Sequence, residues 1–428
     1  MKKPITAILL GAGGRGMFAY GNIALTKKDD IKFVAVAEPD EKRRGEFAKL
    51  HGIKPANAFS DWKDMLSKPK MADCAFICTQ DKMHFEPTMK TLELGYHVLL
   101  EKPMATTAKE CILLGEAAKK YNRLFSICHV LRYTDFFATL KNIIDSGKIG
   151  DVVTIQHSEN VAFWHYAHSY VRGLWNVCEE SGPHILTKSC HDMDILLYLL
   201  GGSPCTYIAS TGSLKVFKPE NAPEGAQKRC IEKGKICPCS KDCVYYAPDT
   251  YLSKTENWNA PFQFMLTLDK TPEGRMKALE NSRYGKCVYY AGNDVVDNQA
   301  VCMSFENGVN ATFTLTAFTQ ECTRIIRILG SKGEIYGDMD ANKIEYITFI
   351  DGKKTKMDLK ETVGGHGGGD IGLVEDFINL VRSGGKIKSR TAAADSVMSH
   401  VMAFAAEESR VSKKMIKISD YIKEKLNI

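Results

Sequence analysis

The chain has 428 residues, of which 44% are apolar and 25% charged, which is the balance of an ordinary globular protein of two or three domains. Its net charge of +6 arises from 57 basic and 51 acidic residues without a concentrated basic run, which argues against nucleic-acid binding. No apolar run approaches the roughly 20 residues of a membrane span, so we expect a cytoplasmic protein without a membrane partner.

Apolar strands alternate with helical segments over the first 130 residues. The predicted strands are Ile5–Leu10, Ile31–Ala37, Asp73–Cys78, His97–Leu100 and Leu124–Val130. Strands that alternate with helices indicate βαβ units and a parallel sheet. We therefore predict an α/β protein whose N-terminal domain, residues 1–130, has the Rossmann architecture.

The pattern changes at about residue 131. Helices are predicted at Phe136–Ser146 and over residues 181–200, and strands at Val152–Ser158, Phe262–Leu268, Val296–Phe305, Asn310–Phe318 and Arg324–Gly330. Strands of this length predict a C-terminal α/β domain, residues 131–428, with a large, mostly antiparallel open sheet. Residues 213–262 form an irregular, cysteine-rich insertion, and helices at Ile371–Ser383 and over residues 392–413 are expected to pack back on the body.

The first predicted strand runs directly into Gly11-Ala12-Gly13-Gly14-Arg15-Gly16, which matches G-x-G-x-x-G. The motif alone is weak, but a strand before it and a helix after it are the context that a dinucleotide site requires. Gly11 makes the tight turn, Gly13 admits the pyrophosphate to the backbone, and Gly16 lets helix and strand approach closely. We predict a dinucleotide site that also includes Gly14 and Arg15.

Glu38 stands at the end of the second strand. A carboxylate there hydrogen-bonds the ribose hydroxyls and repels a 2′-phosphate, which favours NAD(H) over NADP. Arg43 and Arg44 lie nearby and keep NADP open as an alternative.

The ordered set of motifs resembles a known family, the glucose–fructose oxidoreductase / inositol dehydrogenase / rhizopine catabolism (Gfo/Idh/MocA) oxidoreductases. The motifs are Gly11–Gly16, Ala37–Asp40, Glu101–Pro103, Gly147–Gly150, a helix that reaches His191 and Asp194, and Gly330–Glu334. The resemblance implies an NAD(H)-dependent enzyme that acts on a small sugar, cyclitol or glycoside. It also implies an open sheet used for oligomerisation, so we expect a homodimer or homotetramer.

In that family the lysine of Glu-Lys-Pro lies near the nicotinamide, and here it is Lys102, at the carboxyl end of a Rossmann strand where ligands bind. Thr79, His84 and Glu101 complete the predicted cofactor site. The family also has an aspartate followed four residues later by a histidine. The histidine position is His191, but Thr187 stands in place of the aspartate.

Histidine titrates near neutral pH and suits the proton step of alcohol oxidation, and a lysine ammonium lowers the pKa of the alcohol. We therefore assign His191 as general base or acid, with Lys102 and Lys188 in support. Spacings of three and four predict that Thr187, Lys188 and His191 share one helix face. A buried structural role for His191 and a salt-bridged role for Lys188 remain open.

Further candidates for substrate contact lie after predicted strands. Phe163–Arg172 is dense in aromatic and polar side chains, and Gly364–Asp370 is a glycine-rich loop. Core packing and a flexible connector are the alternatives for these two segments. The predicted substrate residues are Arg132, Tyr133, Trp164, His165, Tyr170, Arg172, Thr187 and His366.

Four cysteines cluster in the insertion as Cys230-x6-Cys237-x-Cys239-x3-Cys243. Thiolates at this density often bind zinc, although the spacing lacks the usual C-x2-C pair. A structural zinc, free thiols, and disulfides or an iron–sulfur centre are all open.

Three functions compete at this point. The first is a dehydrogenase that oxidises a secondary hydroxyl. The second is a redox-neutral glycosidase or lyase that works through a transient 3-keto sugar, as some relatives in the resembled family do. The third is a nucleotide sensor without catalysis.

Overall fold

The computed structural model describes residues 3–252, 262–359 and 365–427, which form two α/β units, each around one large sheet. In this part of the chain, none of the helices combines the length and the apolarity needed to cross a bilayer. The two-part architecture agrees with the fold class predicted above.

The N-terminal sheet has six parallel strands in the order β3-β2-β1-β4-β5-β6. These strands are β1 (Ile5–Leu10), β2 (Ile31–Ala37), β3 (Ala58–Phe59), β4 (Cys74–Ile77), β5 (His97–Leu100) and β6 (Phe125–Ile127). The strand order reverses between β1 and β4, and the crevice at the carboxyl ends there is where such sheets bind ligands.

The helices of this unit follow its strands. They are α1 (Asn22–Thr26), α2 (Glu41–His51), α3 (Trp62–Leu66), α4 (Phe85–Glu93) and α5 (Ala108–Lys120). A π-helical segment, Arg15–Gly21, directly precedes α1. Local chemistry sets their ends: the Asp40 carboxylate accepts the Arg43 N–H at the start of α2, and Gly52 ends it with a φ of 64°.

The second sheet has nine strands in the order β16-β15-β14-β13-β7-β12-β11-β8-β17. They are β7 (Val152–Ala162), β8 (Cys205–Ser213), β11 (Asn298–Phe305), β12 (Asn310–Thr319), β13 (Thr323–Gly330), β14 (Gly333–Asp338), β15 (Lys343–Thr348), β16 (Lys354–Asp358) and β17 (Ile416–Lys417). Among its pairs only β12 with β7 is parallel, so the sheet is mostly antiparallel as predicted. One face is buried beneath helices, since alternate residues of β12 are buried and exposed.

The helices of the second unit are short near its centre. They are α6 (Asp135–Asp145), α7 (Phe163–Tyr166), α8 (Cys178–Ser181), α9 (His184–Thr187), α10 (Cys190–Leu199), α11 (Ala247–Tyr251) and α12 (Pro272–Asn281), and the insertion adds the small hairpin β9 (Ile231–Glu232) and β10 (Lys235–Ile236). The strand predicted at Phe262–Leu268 is wrong, because residues 262–266 are helical. The single helix predicted over residues 181–200 is instead divided into α9 and α10.

Three helices close the chain: α13 (Gly369–Arg382), α14 (Ala393–Ser412) and α15 (Ile418–Leu426). Leu373 and Phe377 of α13 are buried in the core beneath the N-terminal sheet, together with Phe76 of β4. Helix α14 lies between α5 of the first unit and α10 and β8 of the second. The C-terminal helices therefore fasten the two units together.

Candidate active site

The glycine turn after β1 has the shape of a dinucleotide cradle. Gly11 has a φ of 92°, and a Cβ on it would lie 2.4 Å from the Cys78 carbonyl oxygen. A Cβ on Gly16 would lie 2.1 Å from the Gly11 carbonyl oxygen. Gly13 and Gly14 instead face open space, with no heavy atom within 4 Å of an added Cβ. Two glycines are thus needed for packing and two leave room for a pyrophosphate, so the residues present fit a dinucleotide.

Glu38 follows β2 and turns back over this cradle. Its Oε2 accepts the backbone N–H of Ala12 at 2.7 Å, and its Oε1 accepts that of Asp40 at 3.1 Å. The Arg43 guanidinium lies over the Phe264 ring, 5.3 Å from the centroid, and Arg44 donates to the Glu38 carbonyl. The carboxylate therefore stands beside the glycine turn, where a ribose would meet it.

Thr79 and His84 belong to the segment after β4. The Thr79 hydroxyl donates to the Met83 carbonyl. The buried His84 ring bridges the carbonyl oxygens of Thr79 and Pro103, at 3.0 and 2.7 Å. His84 thus ties this segment to the Glu-Lys-Pro loop and acts on the cofactor site through that loop.

Lys102 extends from the Glu-Lys-Pro loop across to the second unit. Its Nζ donates to the carbonyl oxygen of Thr187 at 2.8 Å. The Thr187 hydroxyl is itself buried over the Pro183 and His184 carbonyls. Lys102, and not Thr187, therefore brings a charge to the interface between the two units.

His191 lies at the start of α10, 4% exposed, with both ring nitrogens buried and without a hydrogen-bond partner. Its ring centroid is 5.9 Å from that of His366 and 5.9 Å from that of His129. Burial, with Lys102, His129 and His366 nearby, holds the pKa of His191 well below its usual range. The imidazole is therefore neutral at pH 7 and has two unused nitrogens that face other ionisable groups.

Family profiles match nearly the whole chain. Residues 5–129 match GFO_IDH_MocA, "Oxidoreductase family, NAD-binding Rossmann fold", and residues 141–418 match GFO_IDH_MocA_C, "Oxidoreductase family, C-terminal alpha/beta domain". The chain belongs to the GFO/IDH/MocA oxidoreductase family. The resemblance inferred from the sequence motifs is thereby confirmed, as is the NAD-binding character of the first domain.

Relatives within the GFO/IDH/MocA family differ in the reactions they are named for. The Bacillus subtilis protein YteT, which is named as an oxidoreductase, is 25% identical over 330 residues, 73% of this chain and 72% of YteT. The B. subtilis scyllo-inositol 2-dehydrogenase (NADP(+)) IolW is 31% identical over 190 residues, 43% of this chain and 50% of IolW. The Escherichia coli 2,7-anhydro-N-acetylneuraminate hydratase is 28% identical over 152 residues, 35% of this chain and 40% of the hydratase.

Solved GFO/IDH/MocA structures share the complete architecture. Levoglucosan dehydrogenase, in complex with NADH and levoglucosan, superposes with a TM-score of 0.70 at 17% identity over 97% of this chain and 100% of that one. An Agrobacterium radiobacter oxidoreductase, in complex with NAD+, L-tartaric acid and magnesium, superposes with a TM-score of 0.69 at 14% identity over 98% and 99%. At such identities the likeness establishes the fold.

Lys188 is bound into an ionic network under the site. Its Nζ lies 3.2 Å from the Glu159 carboxylate, which also pairs with Arg324. Arg324 in turn donates to Asp192 at 2.7 Å. The expectation of one helix face is wrong for Lys188, because it stands in the break between α9 and α10. Its predicted catalytic support remains a prediction.

Two arginines predicted to contact substrate have partners inside the protein. Arg132 forms a bidentate pair with Asp194 at 2.6 and 2.7 Å. Arg172 donates to the Lys286 and Tyr245 carbonyls at 2.7 and 2.6 Å. These donors already have partners in buried surroundings, and the substrate roles of both arginines remain predictions.

Tyr133, Trp164 and Tyr170 are three further residues predicted to contact the substrate. Tyr133 donates to Asp376 of α13 at 2.8 Å, and its contact with substrate remains a prediction. Trp164 is partly exposed and donates to the Gln320 carbonyl. Tyr170 is buried, with its ring 4.2 Å from that of His184.

His165 lies 3.4 Å from the Cys322 sulfur through its Nδ1. Burial, with Lys188 first among the neighbouring cations and His366 also among them, holds its pKa well below the usual range. The charges of Lys188 and His366 thus both act on the His165 ring. Gly364, the first residue of the predicted glycine loop, lies outside the described residues.

Sequence reasoning missed His129 and Asp370. His129 comes two residues after β6, at the carboxyl end of a parallel strand, a signal that was available. Asp370 is four residues beyond His366, and its Oδ2 lies 3.4 Å from His366 Nδ1. The two residues are joined by a turn of left-handed backbone and not by a helix, so the sequence pattern gave no signal for that pair.

The cysteine cluster surrounds a cavity of about 20 Å³ lined by Cys230, Cys237, Cys239, Cys243 and Cys287. Within residues 3–252, 262–359 and 365–427, no group of three or more His, Cys, Asp or Glu side chains is arranged to hold a metal ion. The described residues therefore give no support to the structural zinc among the predicted alternatives. The thiols are free, and Cys230 packs in a small core with Tyr251 and Tyr284.

Proposed function

We propose that the protein is an NAD(H)-dependent oxidoreductase acting on a secondary hydroxyl of a sugar, cyclitol or glycoside. The observation that carries the proposal is the imidazole of His191, buried without partners between Lys102 and His366. A buried polar group without a partner is costly, so its retention argues for a ligand that satisfies it.

His191 and Lys102 can together manage the hydroxyl proton. When bound, the nicotinamide supplies the hydride acceptor or donor at the substrate carbon. A neutral His191 accepts the hydroxyl proton on a free ring nitrogen, and the Lys102 ammonium stabilises negative charge on the oxygen. Because His191 is almost fully buried, bulk water is excluded from this proton transfer.

The cofactor preference proposed is NAD(H) over NADP(H). Glu38 accepts two backbone N–H groups beside the glycine turn, so its negative charge is fixed where a 2′-phosphate would stand. Like-charge repulsion then disfavours NADP(H). Cyclic polyols and anhydro sugars appear in the names of relatives and structural neighbours, which supports this substrate class.

A redox-neutral cleavage or hydration is the second candidate. Its support is His366, a second imidazole 5.9 Å from His191. Removing a proton from the carbon beside a transient carbonyl needs a base additional to the one at the hydroxyl. A hydratase among the relatives agrees with such chemistry.

A screen of sugars, inositols and aryl glycosides with NAD+ tests both candidates. NADH absorbance that grows with turnover supports the dehydrogenase, whereas aglycone or water-addition product without accumulated NADH supports the second candidate. The variants Lys102→Ala and His191→Ala provide the control for catalysis. If both variants kept the biological activity of the wild type, a non-catalytic nucleotide sensor would replace both proposals.

A further inference from the structure

Arg15, inside the glycine motif, is bound to two different loops at once. Its Nε donates to Glu101 Oε1 at 2.6 Å. Its Nη1 and Nη2 donate to the two Asp370 oxygens at 3.0 and 2.7 Å. Tyr20 completes the group, accepting from Arg15 at 2.9 Å and donating to Glu101. One guanidinium therefore pairs with two buried carboxylates, a role that its planar fork suits.

The first carboxylate leads to Lys102. Glu101 immediately precedes Lys102, and its second oxygen accepts the Lys102 backbone N–H at 3.1 Å. The same lysine reaches the Thr187 carbonyl through its Nζ. The position of the Lys102 ammonium thus depends on a loop that Arg15 holds.

The second carboxylate leads to His366. Asp370 Oδ2, which accepts from Arg15, is also the oxygen 3.4 Å from His366 Nδ1. His366 has a φ of 51°, and Gly367 and Gly368 follow with 60° and 80°. A histidine in left-handed backbone is held there by its surroundings, and Asp370 is the polar contact that reaches its ring.

Helix α13 contains Asp370 and packs against the N-terminal unit. Phe377 packs 5.7 Å from Phe76 of β4, and Glu375 pairs with Lys27. His366 therefore moves with the glycine turn, while His191 belongs to the second unit. The separation of the two imidazoles depends on how the units are set against each other.

We propose that Arg15 is a positioning residue through which a dinucleotide bound on the glycine turn fixes both Lys102 and His366. The roles of Lys102 and His366 rest on the proposed function. Without Arg15, the buried carboxylates of Glu101 and Asp370 would be unpaired beside the site of an anionic pyrophosphate. Their repulsion would displace the two loops.

The charge on Asp370 gives this arrangement a measurable signature. Although the His366 side chain is 37% exposed, desolvation of its ring lowers its pKa, and Asp370 opposes that effect. Replacing Asp370 with Asn removes the opposition, so the pKa of His366 falls further. The groups that face His366 from the surrounding elements are Asp370 on α13, Arg15 in the glycine turn, Lys102 after β5, His191 on α10 and His165 on α7.

The experiment follows His366 by NMR of ¹³C-histidine-labelled full-length protein, with its signal assigned through His366→Gln. In the wild type, NADH should shift this signal saturably. In Asp370→Asn, NADH affinity measured by fluorescence should stay within about 3-fold while the shift is lost, and kcat should fall by about 10-fold or more. In Arg15→Lys, which lies in the predicted dinucleotide site, the shift should be lost even at an NADH concentration that saturates binding. The double variant should be no worse than the poorer single variant, since the residues act together.

Glu375→Gln is the matched control, because it removes another carboxylate that α13 pairs with the same unit. It should keep the NADH-dependent shift. The proposal is overturned if Arg15→Lys or Asp370→Asn keeps that shift at saturating NADH, or if Asp370→Asn loses NADH binding as a whole. Since binding and NMR need no substrate, failure to find turnover would count against the proposed function and leave this test intact.

Discussion

Single residues

Among the histidines of the described chain, His191 alone is fully buried with neither ring nitrogen hydrogen-bonded. His84, His168 and His400 are equally buried, but their nitrogens contact backbone or side-chain partners. A structural histidine would be expected to have such partners. Because His191 has no such partner, we infer that its side chain is kept for a ligand.

Replacing His191 with Gln should lower kcat by about 10²- to 10⁴-fold, the range of general acid–base catalysis, and leave NADH binding unchanged. Steady-state kinetics and NADH fluorescence titration measure the two effects. His97→Gln is the control and should behave as wild type, because His97 is the first residue of β5 and Lys102 follows the other end of that strand. A loss below 3-fold in His191→Gln would rule out its role as general base.

We expect Glu38 to set the cofactor preference, because its carboxylate is held beside the glycine turn. Glu38→Ser should raise the ratio of kcat/KM with NADP+ to that with NAD+ by about 10-fold or more, because a fixed negative charge is removed. The exposed Glu41→Gln, in the first turn of α2, serves as control. An unchanged ratio would mean that Glu38 does not face the ribose.

Elements

The glycine turn contains two kinds of glycine that the motif alone does not separate. Gly11 and Gly16 are packed against backbone, whereas Gly13 and Gly14 border open space. A side chain at the first kind must displace backbone atoms, and one at the second kind fills the ligand space. Stability and binding should therefore respond to different positions within six residues.

Gly13→Val should leave the melting temperature within about 2 °C of wild type, a near-neutral change in stability, and weaken NADH binding by at least about 10-fold. Gly16→Ala should destabilise the protein, since its Cβ would lie 2.1 Å from the Gly11 carbonyl oxygen. Differential scanning fluorimetry and NADH titration distinguish these effects. Equal loss of stability in both variants would contradict the assignment.

The break between α9 and α10 shows how tertiary contacts override helical spacing. Lys188, in the break, is drawn to Glu159 on β7, and Asp192 pairs with Arg324 on β13. These partners come from strands distant in sequence. A periodic pattern within residues 181–200 has no information about them.

The whole molecule

The large sheet leaves one face outside the helical layers. Val153 and Tyr336 are 53% and 43% exposed, and the homodimer or homotetramer expected from the sequence remains a prediction. Val153→Glu with Tyr336→Glu should reduce the molar mass in solution, because charges would be buried at the interface. Light scattering after size-exclusion chromatography measures it. A monomeric wild type would contradict the expectation.

Buried histidines make stability depend on pH. Burial lowers the pKa of His168, His184 and His400 from 6.5 to about 3. Between these values the unfolded chain binds more protons than the folded protein, so acidification favours unfolding by about 1.4 kcal/mol per pH unit for each group. The melting temperature should therefore fall between pH 6.5 and pH 4.5.

Scanning fluorimetry across that range measures the slope. His51, whose pKa burial lowers to about 4, provides the comparison, since His51→Gln should make the slope shallower by about one proton. A melting temperature independent of pH from 7.5 to 4.5 would show that these imidazoles are not buried as described.

The family resemblance implied Lys102 and His191, whose roles remain predictions. The amino-acid sequence by itself determined the two-domain α/β architecture and the dinucleotide turn. These depend on local periodicity, glycine chemistry and short motifs, which are written within a few residues of the chain. Only the tertiary structure decided that Arg132 and Arg172 are committed to internal partners, that the cysteines surround no metal site in the described residues, and that Arg15 joins Glu101 to Asp370. Asp370 lies 355 residues after Arg15, and a contact at that separation follows from the packing of whole helices and sheets.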